Sequence, residues 1–148
     1  MTKGLRSFER SMPMTLLQIR ELVMKKFIPT LKAHDVTSQQ WRVIRALEHD
    51  NGLEMSALAK QCHLLLPSLS RIINHLEKEK LIERKTVDID QRRSKIFLTE
   101  LGQELFAKIA PKSVERYIEI EEKYGVRKLE LLYELLDDLI KSLEEKDT

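Results

Sequence analysis

Between Pro67 and Lys80 the apolar residues Leu69, Ile72, Ile73 and Leu76 recur at helical spacing, while Ser68, Ser70, Arg71, Asn74, His75 and Lys78 fall on the other side. A helix divided in this way buries one stripe against a core and leaves a surface of hydroxyl, amide and cationic groups. Pro67 suits its first turn, where the missing N–H has no helical partner to lose. Upstream, Met55–Gln61 reads as a second short helix. Downstream, Leu81–Lys85 and Lys95–Leu98 read as two strands joined by a polar turn, Asp88–Arg93. Helix, turn, helix and hairpin in that order specify a winged helix-turn-helix, which sets its second helix in a DNA major groove with the hairpin alongside.

The chemistry of the second helix fits that use. Arginine can grip guanine through two hydrogen bonds, asparagine can do the same for adenine, and hydroxyls serve bases or phosphates. Taken alone, six polar residues are as well explained by a solvated face, so the hairpin matters. There Arg84, Lys85, Arg92, Arg93 and Lys95 flank the aspartate-rich turn, and a cationic ribbon can follow a DNA backbone or enter a minor groove. Asp90 stands two residues before Arg92, where a carboxylate can orient the guanidinium. From Lys60 to Lys95 nine basic residues face five acidic ones, +4 in a chain of formal net charge +2. Positive charge is concentrated where phosphate attraction requires it.

The remaining helical patterns lie on either side of this module. From Met14 to about His34 the residues Leu16, Ile19, Val23, Met24, Phe27, Ile28 and Leu31 trace one face, with Pro29 near its end; residues 1–12 read as a loose arm. Arg20 interrupts that face and starts from the apolar stripe, so it needs either a protein carboxylate or an acidic ligand. Thr37-x-x-Gln40 is a capping box for a helix running to about His49, closed by the turn Asp50-Asn51-Gly52. Leu53-Glu54 is a candidate short strand beside the wing. Trp41, on that helix, is either a core residue or one wall of a pocket for an aromatic molecule.

After Gly102 comes a long helical pattern through Pro111 to Tyr124, broken at Gly125. The final pattern, Val126–Glu145, carries Leu129, Leu132, Leu136, Leu139 and Leu143 at steps of three and four, widened by Leu131, Leu135 and Ile140. So apolar a terminal helix calls for a cover, and the amino-terminal helix together with a second copy of the chain would supply one. From Glu115 to the end eleven acidic residues outnumber six basic ones, so this region should face away from DNA.

Composition excludes several classes. With 148 residues, 42% of them apolar and 34% charged, the chain is of single-domain size and globular. No run approaches the ~20 apolar residues of a membrane span, and the start, Met1-Thr2-Lys3-Gly4, carries no signal core. A cytoplasmic setting is expected, in keeping with one cysteine, Cys62, and no possible internal disulfide. Cys62 and His63 are adjacent and project differently, so no metal site is expected, nor any cofactor. Neither a phosphate loop nor a nucleophile motif points to an enzyme.

Several stretches together resemble the MarR family of bacterial transcription regulators: Leu58-Ala59, Leu76–Arg84, Asp90-Gln91-Arg92-Arg93-Ser94 and Leu98-Thr99-Glu100-Leu101-Gly102. Within it, Leu17–Glu21, Phe27-Ile28-Pro29, Val36–Arg42 and Leu66-Pro67-Ser68-Leu69 are similar to the subfamily of repressors of homoprotocatechuate (4-hydroxyphenylacetate) degradation, with Leu66 standing where a basic residue is usual. The resemblance implies a mostly α fold, a winged helix-turn-helix over 36–100 between dimerisation helices in 1–35 and 101–148. It also implies a homodimeric repressor on a pseudo-palindromic operator in double-stranded DNA, released by a small aromatic acid. Arg20 would then meet the acid's carboxylate and Trp41 its ring. The expected DNA contacts are Ser68, Ser70, Arg71, Asn74, His75, Arg84, Lys85, Arg92, Arg93 and Lys95. Two alternatives stand beside it: regulation by oxidation of Cys62, or a winged helix that binds protein.

Overall fold

The computed structural model describes residues 2–86 and 93–144, so the wing-tip residues Asp88, Asp90 and Arg92 lie outside the described residues. The elements are α1 (Met12–Ala33), α2 (Ser38–His49), β1 (Leu53–Glu54), α3 (Met55–Cys62), α4 (Leu66–Lys78), β2 (Ile82–Thr86), β3 (Ser94–Leu98), α5 (Glu100–Tyr124) and α6 (Val126–Glu144). The chain forms two compact units, Met1–Pro111 and Lys112–Thr148.

In the first unit the expected stripe of α4 is the centre of the core: Leu69 and Ile73 are completely buried, with Leu76 and Ile72 nearly so. They pack with Val43, Ile44 and Leu47 of α2, Leu58 and Cys62 of α3, Ile82 of β2, Ile96 of β3 and Ile109 of α5. Removing this contiguous apolar surface from water supplies most of the drive for folding. The capping box at α2 forms as expected, with the Thr37 hydroxyl accepting from Gln40 N–H and the Gln40 side chain accepting from Thr37 N–H, both at 3.1 Å. Thr37→Ala should therefore cost about 1 kcal/mol of stability, read as a shift in the urea midpoint.

Leu53-Glu54 does join the wing, giving a three-stranded antiparallel sheet in the order β1-β3-β2. Its register sets Ile82 opposite Leu98, Arg84 opposite Ile96 and Lys85 opposite Lys95. Because faces alternate along a strand, Ile82 and Arg84 start from the side that carries buried Ile96 and Leu98. Lys85 starts from the other side. Gly52 has a positive φ of 82° and packs against the Phe97 ring, while the Asn51 side chain accepts from Leu98 N–H at 3.0 Å. The turn after α2 is thus fastened to β3.

The join between wing and α5 explains the Leu-Thr-x-x-Gly stretch. The Thr99 hydroxyl donates to the Lys80 carbonyl at 2.7 Å and accepts from Gly102 N–H at 3.1 Å, so it caps α5 and holds the end of α4 together. Gly102 lies against the Leu81 carbonyl, where an added Cβ would stand 2.2 Å from the oxygen.

Helix α1 begins at Met12 instead of Met14, on a Ser11 cap, after a short 3-10 turn at Phe8–Arg10 inside the region expected to be a loose arm. Only the carboxyl-terminal part of its stripe is covered. Phe27 and Leu31 are buried, whereas Leu16, Leu17, Ile19, Leu22 and Ile28 are each 45% exposed or more. In the second unit α6 has no buried residue; Leu131, Tyr133, Leu135 and Ile140 are all exposed, and within this unit Arg116 pairs with Glu119 at 2.5 Å.

Candidate nucleic-acid interface

Helix α4 holds its polar side chains by the rigidity of its buried stripe. Arg71, Asn74, His75 and Lys78 are exposed, and Ser68 and Ser70 lie along the same side, both half-buried. Arg71 has no ion-pair or hydrogen-bond partner among the described residues. Its guanidinium is unengaged, as a group that must grip a base or phosphate should be. His75 belongs to a flank of the helix, lining a cleft with His34, Gln40, Glu79, Glu104 and Lys108.

The wing cations divide by strand face. Lys85 lies 3.3 Å from the Glu83 carboxylate and 5.0 Å from the Phe97 ring centroid. It also faces Lys95 across the ladder, and Lys95 has Glu54 on its other side. Like charges placed opposite each other oppose pairing, and a polyanion lying along this face of the wing would relieve the repulsion. Arg93 is exposed at the edge of the described wing. Arg84, expected among the outward cations, turns back onto α4. Its Nη2 donates to Asn74 Oδ1 at 2.5 Å and its Nε lies 3.5 Å from the Glu77 carboxylate. Simple counting of charge along the hairpin misses this, whereas strand alternation from Ile82 indicates it.

The two residues expected to meet an aromatic acid have different surroundings. Trp41 is 8% exposed and stacks on Phe106, ring centroids 5.4 Å apart, so within one chain it is a core residue. Arg20, whose place on the apolar stripe of α1 calls for a protein carboxylate or an acidic ligand, is exposed and has no partner among the described residues; its neighbours Leu16, Leu17 and Ile19 are uncovered too.

Cys62 is buried; its carbonyl accepts from Arg42 Nη1 at 3.0 Å. Burial pushes the thiol above its ordinary range, against a smaller lowering by the Arg42 charge. Oxidation proceeds through an accessible thiolate, and the burial of Cys62 together with its raised ionisation disfavours a redox switch there. Alkylation should accordingly be slower than for free cysteine at neutral pH and accelerate only as pH climbs through the raised value. The linkage has the matching sign: this site costs no stability below the unfolded thiol's pKa, and stability falls above it because the unfolded chain ionises first. Iodoacetamide labelling followed by mass, with and without urea, checks both.

Among the described residues no helix is long and apolar enough to cross a membrane, and no three His, Cys, Asp or Glu side chains gather as a metal site.

Comparison with known proteins agrees with this geometry. The MarR family model matches residues 34–94. The chain is 42% identical to the HTH-type transcriptional regulator FarR of Neisseria gonorrhoeae over 85% of its length and 86% of that protein's. It is 35% identical to the homoprotocatechuate degradative operon repressor of Escherichia coli, covering 88% of each. Among solved structures, NadR in complex with 4-hydroxyphenylacetate superposes with a TM-score of 0.77 at 40% identity, over 91% of this chain and 96% of that one. With a winged helix-turn-helix and such identity over most of the length of these relatives, the chain belongs to the MarR family of transcriptional regulators.

Proposed function

We propose that the protein is a homodimeric repressor that binds a pseudo-palindromic operator in the cytoplasm and leaves it when a small aromatic acid binds. Its role is regulatory, not catalytic. The observation that carries the DNA reading is the unengaged Arg71 at the centre of an exposed polar face on α4, whose opposite stripe is locked in the core. Dimerisation is supported by the apolar residues left bare on α1 and α6, an amount of exposed leucine and isoleucine that a second copy would cover. Two-fold symmetry would then set the two α4 helices about one DNA turn apart, roughly 34–36 Å.

The effector reading rests on the relatives, one of them solved with 4-hydroxyphenylacetate. It rests also on Arg20, a bare cation amid the α1 residues that dimerisation would bury. A desolvated guanidinium attracts a carboxylate far more strongly than a wet one. Trp41, stacked on Phe106 in the core, would meet the ring only after the two side chains part. Release follows if the acid binds the arrangement that does not match DNA more tightly than the one that does.

The test uses operator duplexes recovered by selection from a random-sequence library. Wild type should bind them as a dimer and be displaced by 4-hydroxyphenylacetate or homoprotocatechuate, with a change in Trp41 fluorescence. Arg20→Ala should bind DNA and ignore the acid. A wild type that recovers no duplex would defeat the DNA reading, and one indifferent to both acids would defeat the effector reading.

A further inference from the structure

Arg84, Asn74 and Glu77 come from two elements, and their geometry has a consequence for how bases are selected. A guanidinium carries only donors, so the Asn74 atom that meets Arg84 Nη2 at 2.5 Å must be the carbonyl oxygen. That bond removes the amide's freedom to flip. The NH2 end has no hydrogen-bond acceptor among the described residues, so its two hydrogens are available.

Glu77 lies one turn further along α4, on the same side as Asn74, and its carboxylate faces Arg84 Nε at 3.5 Å. The Arg84 charge is thereby partly neutralised by the protein, and its side chain is only 32% exposed. Strand alternation is the cause, since Arg84 stands opposite fully buried Ile96 on the helix-facing side of the wing. Lys85 and Lys95 remain on the other side.

We infer that Arg84 is a positioning residue: clasped between Glu77 and Asn74, it fixes the Asn74 amide so that a donor meets the bases, and so sets specificity at one base pair of each half-site. An outward NH2 suits an acceptor on the major-groove edge, a purine N7, guanine O6 or thymine O4. This inference rests on the DNA-binding reading above and assigns Arg84 a role other than phosphate contact.

Selection from a randomised duplex library, compared among wild type, Asn74→Ala, Arg84→Ala, Arg84→Lys and Glu77→Gln, tests it. Asn74→Ala and Arg84→Ala should each lose about fivefold or more in preference at the same base pair of each half-site. The double variant should lose no more than either. Arg84→Lys should recover part of the preference, and the salt dependence of Arg84→Ala should match wild type. Uniform weakening across all sequences, with a salt slope smaller by about one per phosphate no longer neutralised, would make Arg84 a phosphate-binding residue and overturn the inference. An unaltered preference in Arg84→Ala would overturn it equally.

A second measurement is independent of DNA. In the free protein the Asn74 side-chain amide signals should be sharp and separate, and should shift in Arg84→Ala while the spectrum of the core is unchanged. No shift would mean that the clasp does not form, and the inference would fall. A wild type that shows the clasp by this signal yet recovers no duplex would remove the DNA role and leave the clasp standing.

Discussion

Replacing Arg71 by alanine is expected to cost about 1–3 kcal/mol of specific affinity for each half-site, so that a dimer using two copies loses between roughly thirtyfold and roughly twenty-thousandfold. The expectation follows from what Arg71 lacks. Arg84 and Lys85 have carboxylate neighbours and Asn74 is held by Arg84, whereas Arg71 projects from a locked helix with no partner among the described residues. Arg71→Lys separates the two ways the side chain can act. Lysine keeps the charge and loses the planar fork, so a base-reading role would lose discrimination while non-specific affinity and salt dependence persist. A fluorescence-anisotropy titration against selected and scrambled duplexes at several salt concentrations checks this. Near-wild-type affinity for the selected duplex would reject Arg71 as a reader.

The second large effect is expected far from DNA. Gly102→Ala should destabilise the protein by about 2–3 kcal/mol, the upper part of the range for overpacking. In an unconstrained helix the same change would stabilise by about 1 kcal/mol, because alanine is the better helix former. Here packing wins. The new Cβ would stand 2.2 Å from the Leu81 carbonyl oxygen and 3.1 Å from Leu98 Cδ2. The carbonyl cannot easily give way, since it accepts from Thr99 N–H at 3.1 Å and Leu81 N–H is itself bonded to Leu76 at 2.9 Å. Denaturant unfolding with Gln103→Ala, an exposed neighbour, as the control measures the difference. A Gly102→Ala protein as stable as wild type would show that α5 can slide off the wing without penalty.

Helix ends were harder to read than helix middles. The pattern of α4 extends to Lys80 in sequence, yet the helix stops at Lys78 and Lys80 adopts a left-handed backbone with φ 63°. Asp35 and His63 do the same after α1 and α3. Glycine or asparagine usually marks such a turn, and none stands at these three positions, so the residue types gave no stop signal. At α2 the opposite holds: Thr37 and Gln40 announce the start, and Gly52 marks the turn beyond the end.

The order of elements was determined by sequence alone, because a period of 3.6 or 2 in apolar residues is a local property that survives without knowledge of neighbours. Leu69, Ile72, Ile73 and Leu76 therefore declared both the buried side of α4 and, by subtraction, its reading face. Tertiary structure decided what each polar group is free to do. Arg84 and Lys85 are adjacent cations in the sequence, but the pairing of β2 with β3 sends one back to Asn74 and Glu77 and leaves the other on the outer face. Spacing along a chain specifies direction from an axis; which atoms wait in that direction is fixed only when strands and helices from distant positions have packed.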